Sequence, residues 1–142
     1  MDTGFIYALG AAITWGLVYA LDQKILVGIA PVTLVFIDSI FAAMIMLPFV
    51  IFRHGSFKEI IFAGKSNWTL ILLLAFFTAL ANFLILSGIK NLDASRASVI
   101  EIAYPFFVVL FSYILFRSTP NMFFFIGAFF VFAGCVIIIK FA

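Results

Sequence analysis

Five apolar runs, each long enough to cross a bilayer, decide what this chain can fold into. A helix needs roughly 20 apolar residues to traverse the hydrocarbon core. Charges and turn formers leave such runs at about residues 3–21, 31–52, 68–89, 97–116 and 120–139. Transmembrane strands do not fit, because barrel strands alternate apolar and polar side chains, whereas Leu70 to Phe77 is unbroken apolar sequence. The expected fold is an all-α membrane protein of five transmembrane helices, one domain over residues 1–142. Composition supports this, since 67% of residues are hydrophobic, 10% are charged and mean hydropathy is +1.34, far from the about 45–50% and 25% of soluble domains. A cytosolic enzyme, a nucleic-acid binder and a disordered tail are excluded. Eight Lys and Arg against six Asp and Glu cannot build the basic face that phosphate binding needs. One Cys, Cys135, and one His, His54, leave no disulfide framework and no His/Cys metal site within one chain. No Gly-rich phosphate loop, His-Glu pair or Gly-x-Ser-x-Gly occurs, so neither an enzyme nor a bound cofactor is expected.

The connections are short. Pro31 and Pro120 stand where a first helical turn tolerates proline, and Ser118 or Thr119 is placed to cap the last helix. No basic segment precedes the first span and no small-x-small site follows it, so it is expected to remain in the mature protein. The longest connection, residues 53–67, carries Phe57, Ile60 and Ile61 amid Lys58, Glu59 and Lys65. That pattern fits a short helix lying in the interface and equally a solvated loop.

Five spans put the two termini on opposite sides, so positive charges can be counted by side, as the positive-inside rule requires. The count is a tie. Arg53, Lys58, Lys65 and Arg117 share the side of the amino terminus; Lys24, Lys90, Arg96 and Lys140 lie on the other. An even balance points to insertion in both orientations, the alternative being one orientation with the amino terminus in the cytoplasm. A five-helix unit with opposite-facing termini also suits one half of an inverted-repeat transporter, in which two repeats enclose a site near the midplane. Gly127 and Gly134 share one face of the last span and are candidates for a dimer interface, because small residues let helix backbones approach closely in lipid. Packing within the same chain is the alternative use of that face.

Ionisable groups inside a membrane helix are costly and mark pathways or partners, which singles out Asp38 and Glu101 as candidates for binding a coupling ion. Glu101 lies four residues before Pro105, on the same face, with Ser98 three residues earlier. Pro105 has no N–H to give the Glu101 carbonyl, so a carboxyl and a freed backbone acceptor fall together. A buried carboxyl paired with Arg96 or Lys90 is the structural alternative for Glu101, and helix packing that for Asp38. The candidate substrate cavity comprises Thr14, Trp15 and Tyr19 on the first span, Thr78 and Asn82 on the third, and Ser98, Tyr104 and Pro105 on the fourth. Trp15, Tyr19 and Asp22 follow one helical face, as do Thr78 and Asn82. Interfacial anchoring is the alternative for Trp15 and Tyr19, inter-helix bonding that for Asn82.

Several stretches are similar to one family. Trp15-Gly16, the segment from Gly88 through Lys90, Asp93 and Arg96 to Ile100, Tyr104-Pro105-Phe106, and Gly127 to Gly134 together resemble the EamA family of the drug/metabolite transporter superfamily over nearly the whole chain. Members usually contain two five-helix units and move small metabolites, so the resemblance implies that this chain is a single repeat which must pair. Phe116-Arg117 stands where a Gly-Glu pair often precedes the fifth helix, and no role of that acid is carried over. The spacing of Gly127 and Gly134 is similar to the dimer-forming helix of the related small multidrug resistance proteins, dual-topology homodimers driven by proton exchange at a membrane carboxylate.

The expected function is secondary transport of small metabolites or drugs by alternating access, as an antiparallel dual-topology homodimer with proton coupling through Glu101. The alternatives are a non-transporting membrane subunit and a lipid-carrier flippase component, each packing with another membrane protein. The expected partners are the lipid bilayer, a small-molecule substrate, and a second copy or a homologous half. The expected location is the inner membrane of a prokaryotic cell.

Overall fold

A computed structural model describes residues 2–53, 55–62, 64–118 and 120–141. His54 and Thr119 lie outside the described residues, as do the side chains of Phe57, Ile60 and Lys65. The chain forms helices α1 (Thr3–Ile25), α2 (Pro31–Phe52), α3 (Ser56–Phe62), α4 (Gly64–Leu92), α5 (Ala94–Glu101), α6 (Tyr104–Phe116) and α7 (Met122–Phe141), with no strand among the described residues. Five stretches are long and apolar enough to cross a membrane: Thr3–Ile25, Pro31–Phe52, Asn67–Leu92, Ala94–Phe116 and Met122–Phe141. In lipid a spanning helix is stable because every backbone group is satisfied within the segment.

Helix ends depart from the sequence expectation where side chains act as caps. Helix α1 continues past Leu21 because its polar last turn is put to use: Asp22 is buried, and Gln23 accepts a hydrogen bond from the backbone N–H of Ala94. Pro31 opens α2 as expected, after an extended Ala30 at φ −73°, ψ 144°, the conformation that a following proline favours. Pro120 does not open the last helix. Asn121 caps it instead, its side-chain oxygen accepting from the Phe123 N–H at 3.1 Å, so α7 begins at Met122 and Ser118 lies outside the helix. Much of the longest connection is helical, as α3, where Arg53 pairs with Glu59 at 3.1 Å. Both side chains are largely exposed, and such a pair contributes little.

The fourth span is two helices rather than one. At Ile102 and Ala103 the ladder tightens: the Ala103 N–H bonds to Ile100 O at 3.2 Å and the Phe106 N–H to Ala103 O at 3.1 Å. These i→i−3 bonds are the 3₁₀ pattern. Pro105, in the first turn of α6, is the cause, since it cannot continue an α-helical ladder through its own nitrogen. The polar stretch before this span is also helical, interrupted only at Asp93, which adopts φ 121°.

Two compact units emerge, one of Met1–Lys24 with Gly88–Ala142 and one of Ile25–Ser87. The second buries Leu26, Leu34 and Leu86. The first is centred on small residues: Ala94, Ala97 and Cys135 are buried with Ile89 and Asp22, and a Cβ on Gly88 would stand 3.7 Å from that of Ala97. Small side chains at such crossings let membrane helices approach closely. Elsewhere large apolar side chains such as Phe36, Leu72, Phe111 and Phe129 are exposed, a surface suited to lipid.

Candidate functional site

The site grows from one face of α1. Tyr19 and Gln23 are four residues apart and therefore stacked along that face. The Tyr19 hydroxyl donates to Oε2 of Glu101 at 2.5 Å, while Gln23 Oε1 accepts from the Ala94 N–H at 2.8 Å. Ala94 and Glu101 are the first and last residues of α5, so α1 grips this short helix at both ends. One turn below Tyr19, Trp15 places its ring centroid 5.6 Å from the Tyr19 ring at a 45° tilt. Asp22 and Tyr104 are also within electrostatic reach of the Tyr19 hydroxyl.

Glu101 lies at the end of α5, where the helix tightens. In an uninterrupted α-helix the Val99 carbonyl would receive the Ala103 N–H. That donor turns to Ile100, and the Cys135 thiol of α7 donates to Val99 O instead, at 3.3 Å. The carbonyl of Glu101 itself faces Pro105, which has no N–H. A carboxyl, a tyrosine hydroxyl and a backbone acceptor freed from its helical partner thus converge inside a span, the combination from which intramembrane proton and cation sites are built.

The other candidates distribute as follows. Ser98 turns back to its own helix, its hydroxyl donating to Ser95 O at 2.9 Å, and Thr14 does the same towards Gly10 O at 2.8 Å. Neither hydroxyl is directed to Glu101 by these bonds. Pro105 and Gly127 line an apolar groove of about 250 Å³ with Ile102, Phe106 and Val131. A Cβ on Gly127 or Gly134 would meet nothing within 4 Å among the described residues. Asp38, Thr78 and Asn82 belong to the other unit, where Asp38 and Thr78 are exposed and Asn82 is half-buried. No three His, Cys, Asp or Glu side chains converge among the described residues.

Three contributors escape a reading of the sequence. Gln23 sits in a stretch that reads as a connection, although its i+4 spacing from Tyr19 is a usable signal. Asp93, whose side chain accepts from the Arg96 N–H at 2.8 Å, has the position of an N-cap immediately before a run of small residues. Cys135 reads as an inert lone thiol, and no local pattern pairs it with Val99, 36 residues away.

Five apolar spanning helices and a carboxyl held within one of them define an integral, multi-pass membrane protein. The family model of EamA-like transporters matches residues 2–140, and the chain belongs to that family. No curated protein and no solved structure gives a significant match.

Proposed function

We propose that the chain is a secondary transporter of small metabolites or drugs in a prokaryotic inner membrane, a single five-helix domain that works by alternating access. Glu101 is its proton-coupling carboxyl, and two antiparallel copies form the pathway. The observation that carries this reading is the Tyr19–Glu101 hydrogen bond beside the tightened turn at Ile102 and Ala103. Among the described residues one neutral donor, Tyr19, is seen to hold the carboxyl, so a proton or a substrate cation can compete for it. Trp15, tilted against the Tyr19 ring, and Tyr104, within electrostatic reach of the Tyr19 hydroxyl, supply aromatic surface around the donor, suited to partly apolar substrates. Family membership supports transport itself, and the unfilled space at Gly127 and Gly134 supports the approach of a second helix.

The test is uptake by purified chain in proteoliposomes under an imposed pH gradient, across a panel of small metabolites and cationic drugs. Wild type should show proton-driven flux. Glu101→Gln, which keeps shape and hydrogen bonding but carries no exchangeable carboxyl proton, should abolish coupled flux while remaining folded. Near-normal coupled flux in that variant removes Glu101 from the mechanism. Persistent absence of any flux by wild type favours a non-transporting subunit.

A further inference from the structure

Helix α5 has only eight residues, yet side chains from two other helices hold it at three points. Gln23 secures its first residue through Ala94 N–H, Tyr19 its last through Glu101, and Cys135 its sixth through the Val99 carbonyl. Both junctions of α5 depart from helical geometry. Asp93 lies at φ 121°, ψ 164° before it, and the i→i−3 turn at Ile102 and Ala103 follows it. A short 3₁₀ stretch inside a longer helix is where hinges occur.

The two ends respond differently to protons. The Gln23 contact joins an amide to a backbone N–H, neither of which titrates. The Tyr19 contact ends on a carboxyl, and an O–H···O⁻ bond is about twice as strong as a neutral one. Protonation of Glu101 removes the charge that strengthens this bond and leaves the Gln23 end unchanged. The titratable and charged groups on the surrounding elements are Tyr19 and Asp22 of α1, Lys90 of α4, Tyr104 of α6 and Cys135 of α7. On α5 itself Arg96 pairs with Asp93 at 3.5 Å.

We propose that Tyr19 and Gln23 are positioning residues that clamp α5 to α1, and that filling Glu101 loosens the Tyr19 end alone, so that α5 swings about its Asp93 end. The proposal rests on the reading of Glu101 as the coupling carboxyl, and it supplies the step by which an exchange of protons becomes a movement of backbone. The covered Cys135 thiol lies under the end that moves, and Trp15 lies against the ring that lets go.

Both neighbours serve as reporters. Trp15 and Trp68 are the two tryptophans, so Trp68→Phe leaves Trp15 as the single fluorophore. In nanodiscs, titrated with protons alone, this protein should give one fluorescence transition. Glu101→Gln should abolish it, and Tyr19→Phe should remove most of its amplitude with helical circular dichroism unchanged, whereas Gln23→Leu should leave its midpoint in place. At one fixed alkaline pH, a lipid-soluble maleimide should alkylate Cys135, the sole cysteine, about tenfold faster in Tyr19→Phe than in wild type, the factor set by losing one charge-assisted hydrogen bond. Glu101→Gln should also be faster, which preserves the test if Tyr19→Phe does not fold. An unchanged fluorescence transition in Tyr19→Phe, or wild-type alkylation rates in both variants, overturns the clamp. Failure of the transport reading looks different: uptake indifferent to the pH gradient, alongside an intact transition and rapid alkylation of Tyr19→Phe, removes coupling and leaves the clamp standing.

Discussion

Asp93 performs two opposed tasks, and substitutions there should separate them. Its side chain caps α5 through the Arg96 N–H at 2.8 Å, while its backbone sits at φ 121°, ψ 164°, a region populated essentially by glycine and costing other residues about 1–3 kcal/mol. Asp93→Ala keeps the strain and loses the cap, so it should destabilise by about 1 kcal/mol. Asp93→Gly relieves about 2 kcal/mol of strain and loses about 0.5 kcal/mol of capping. It also adds about 0.5–1 kcal/mol of backbone entropy cost, for a net stabilisation of about 0.5–1 kcal/mol. Asp93→Asn retains both an acceptor and the strain. It forfeits only the Arg96 pair, at 3.5 Å with side chains 52% and 35% exposed, and should lie within about 0.5 kcal/mol of wild type. Equilibrium unfolding in mixed micelles, followed by far-ultraviolet circular dichroism, measures all three. Gly and Ala should differ by about 2 kcal/mol with opposite signs. Equal destabilisation by the two would refute the reasoning, because it would leave the cap as the only energetic feature at this residue.

Two further outcomes concern assembly. Gly127→Leu with Gly134→Leu should raise the monomer fraction in detergent and lower crosslinking yield without unfolding the chain, since a Cβ at either site meets nothing within 4 Å; unchanged values would exclude this face from self-association. A carboxyl-terminal reporter on wild type should register on both sides of the membrane, and two Lys added between Asp22 and Ala30 should make it wholly cytoplasmic; a wild-type reporter confined to one side, with full transport, would remove the antiparallel homodimer.

The spans were legible because lipid imposes a simple rule: enough consecutive apolar residues, with charges at the ends, make a helix that crosses. Pro31 at the start of α2 and Glu101 near Pro105 followed from local chemistry, as did the shared face of Trp15 and Tyr19. Local sequence was a poorer guide wherever a tertiary partner decided the outcome. Leu21 looked like the end of a span because Asp22, Gln23 and Lys24 are polar; α1 continues because Asp22 is buried and Gln23 has a backbone partner on α5. Pro120 looked like a helix start, yet the Asn121 side chain holds the Phe123 N–H and moves the start beyond it. Ser98 was expected to face the cavity by its spacing from Glu101, but its hydroxyl bonds to Ser95 O, a local alternative always open to serine in a helix. Periodicity assigns a face; it does not say whether a polar group on that face turns back to its own backbone.

The same limits explain why the tightened turn in the fourth span is the most informative feature of the chain. An unsatisfied backbone group costs several kcal/mol in hydrocarbon, so a proline-induced interruption there persists only if neighbouring side chains compensate or if a ligand does. Compensation is visible for one of the affected carbonyls: the Cys135 thiol bonds to Val99 O, a weak donor supplied from another helix. Upstream, Asp93 and Gln23 take up two N–H groups at the start of α5, which lets an eight-residue helix, too short to be stable alone, hold its place. The Glu101 carbonyl is different, since its natural donor position is occupied by Pro105. The carboxyl of that same residue is held by Tyr19 alone among the hydrogen bonds described for it. The two ends of α5 are therefore held differently: side-chain oxygens take up backbone N–H groups at its start, whereas at its far end a thiol holds a carbonyl and a tyrosine hydroxyl holds a carboxyl. An interruption needed only to accommodate proline would not account for that difference; the proposed clamp, which releases the carboxyl end and keeps the other, does.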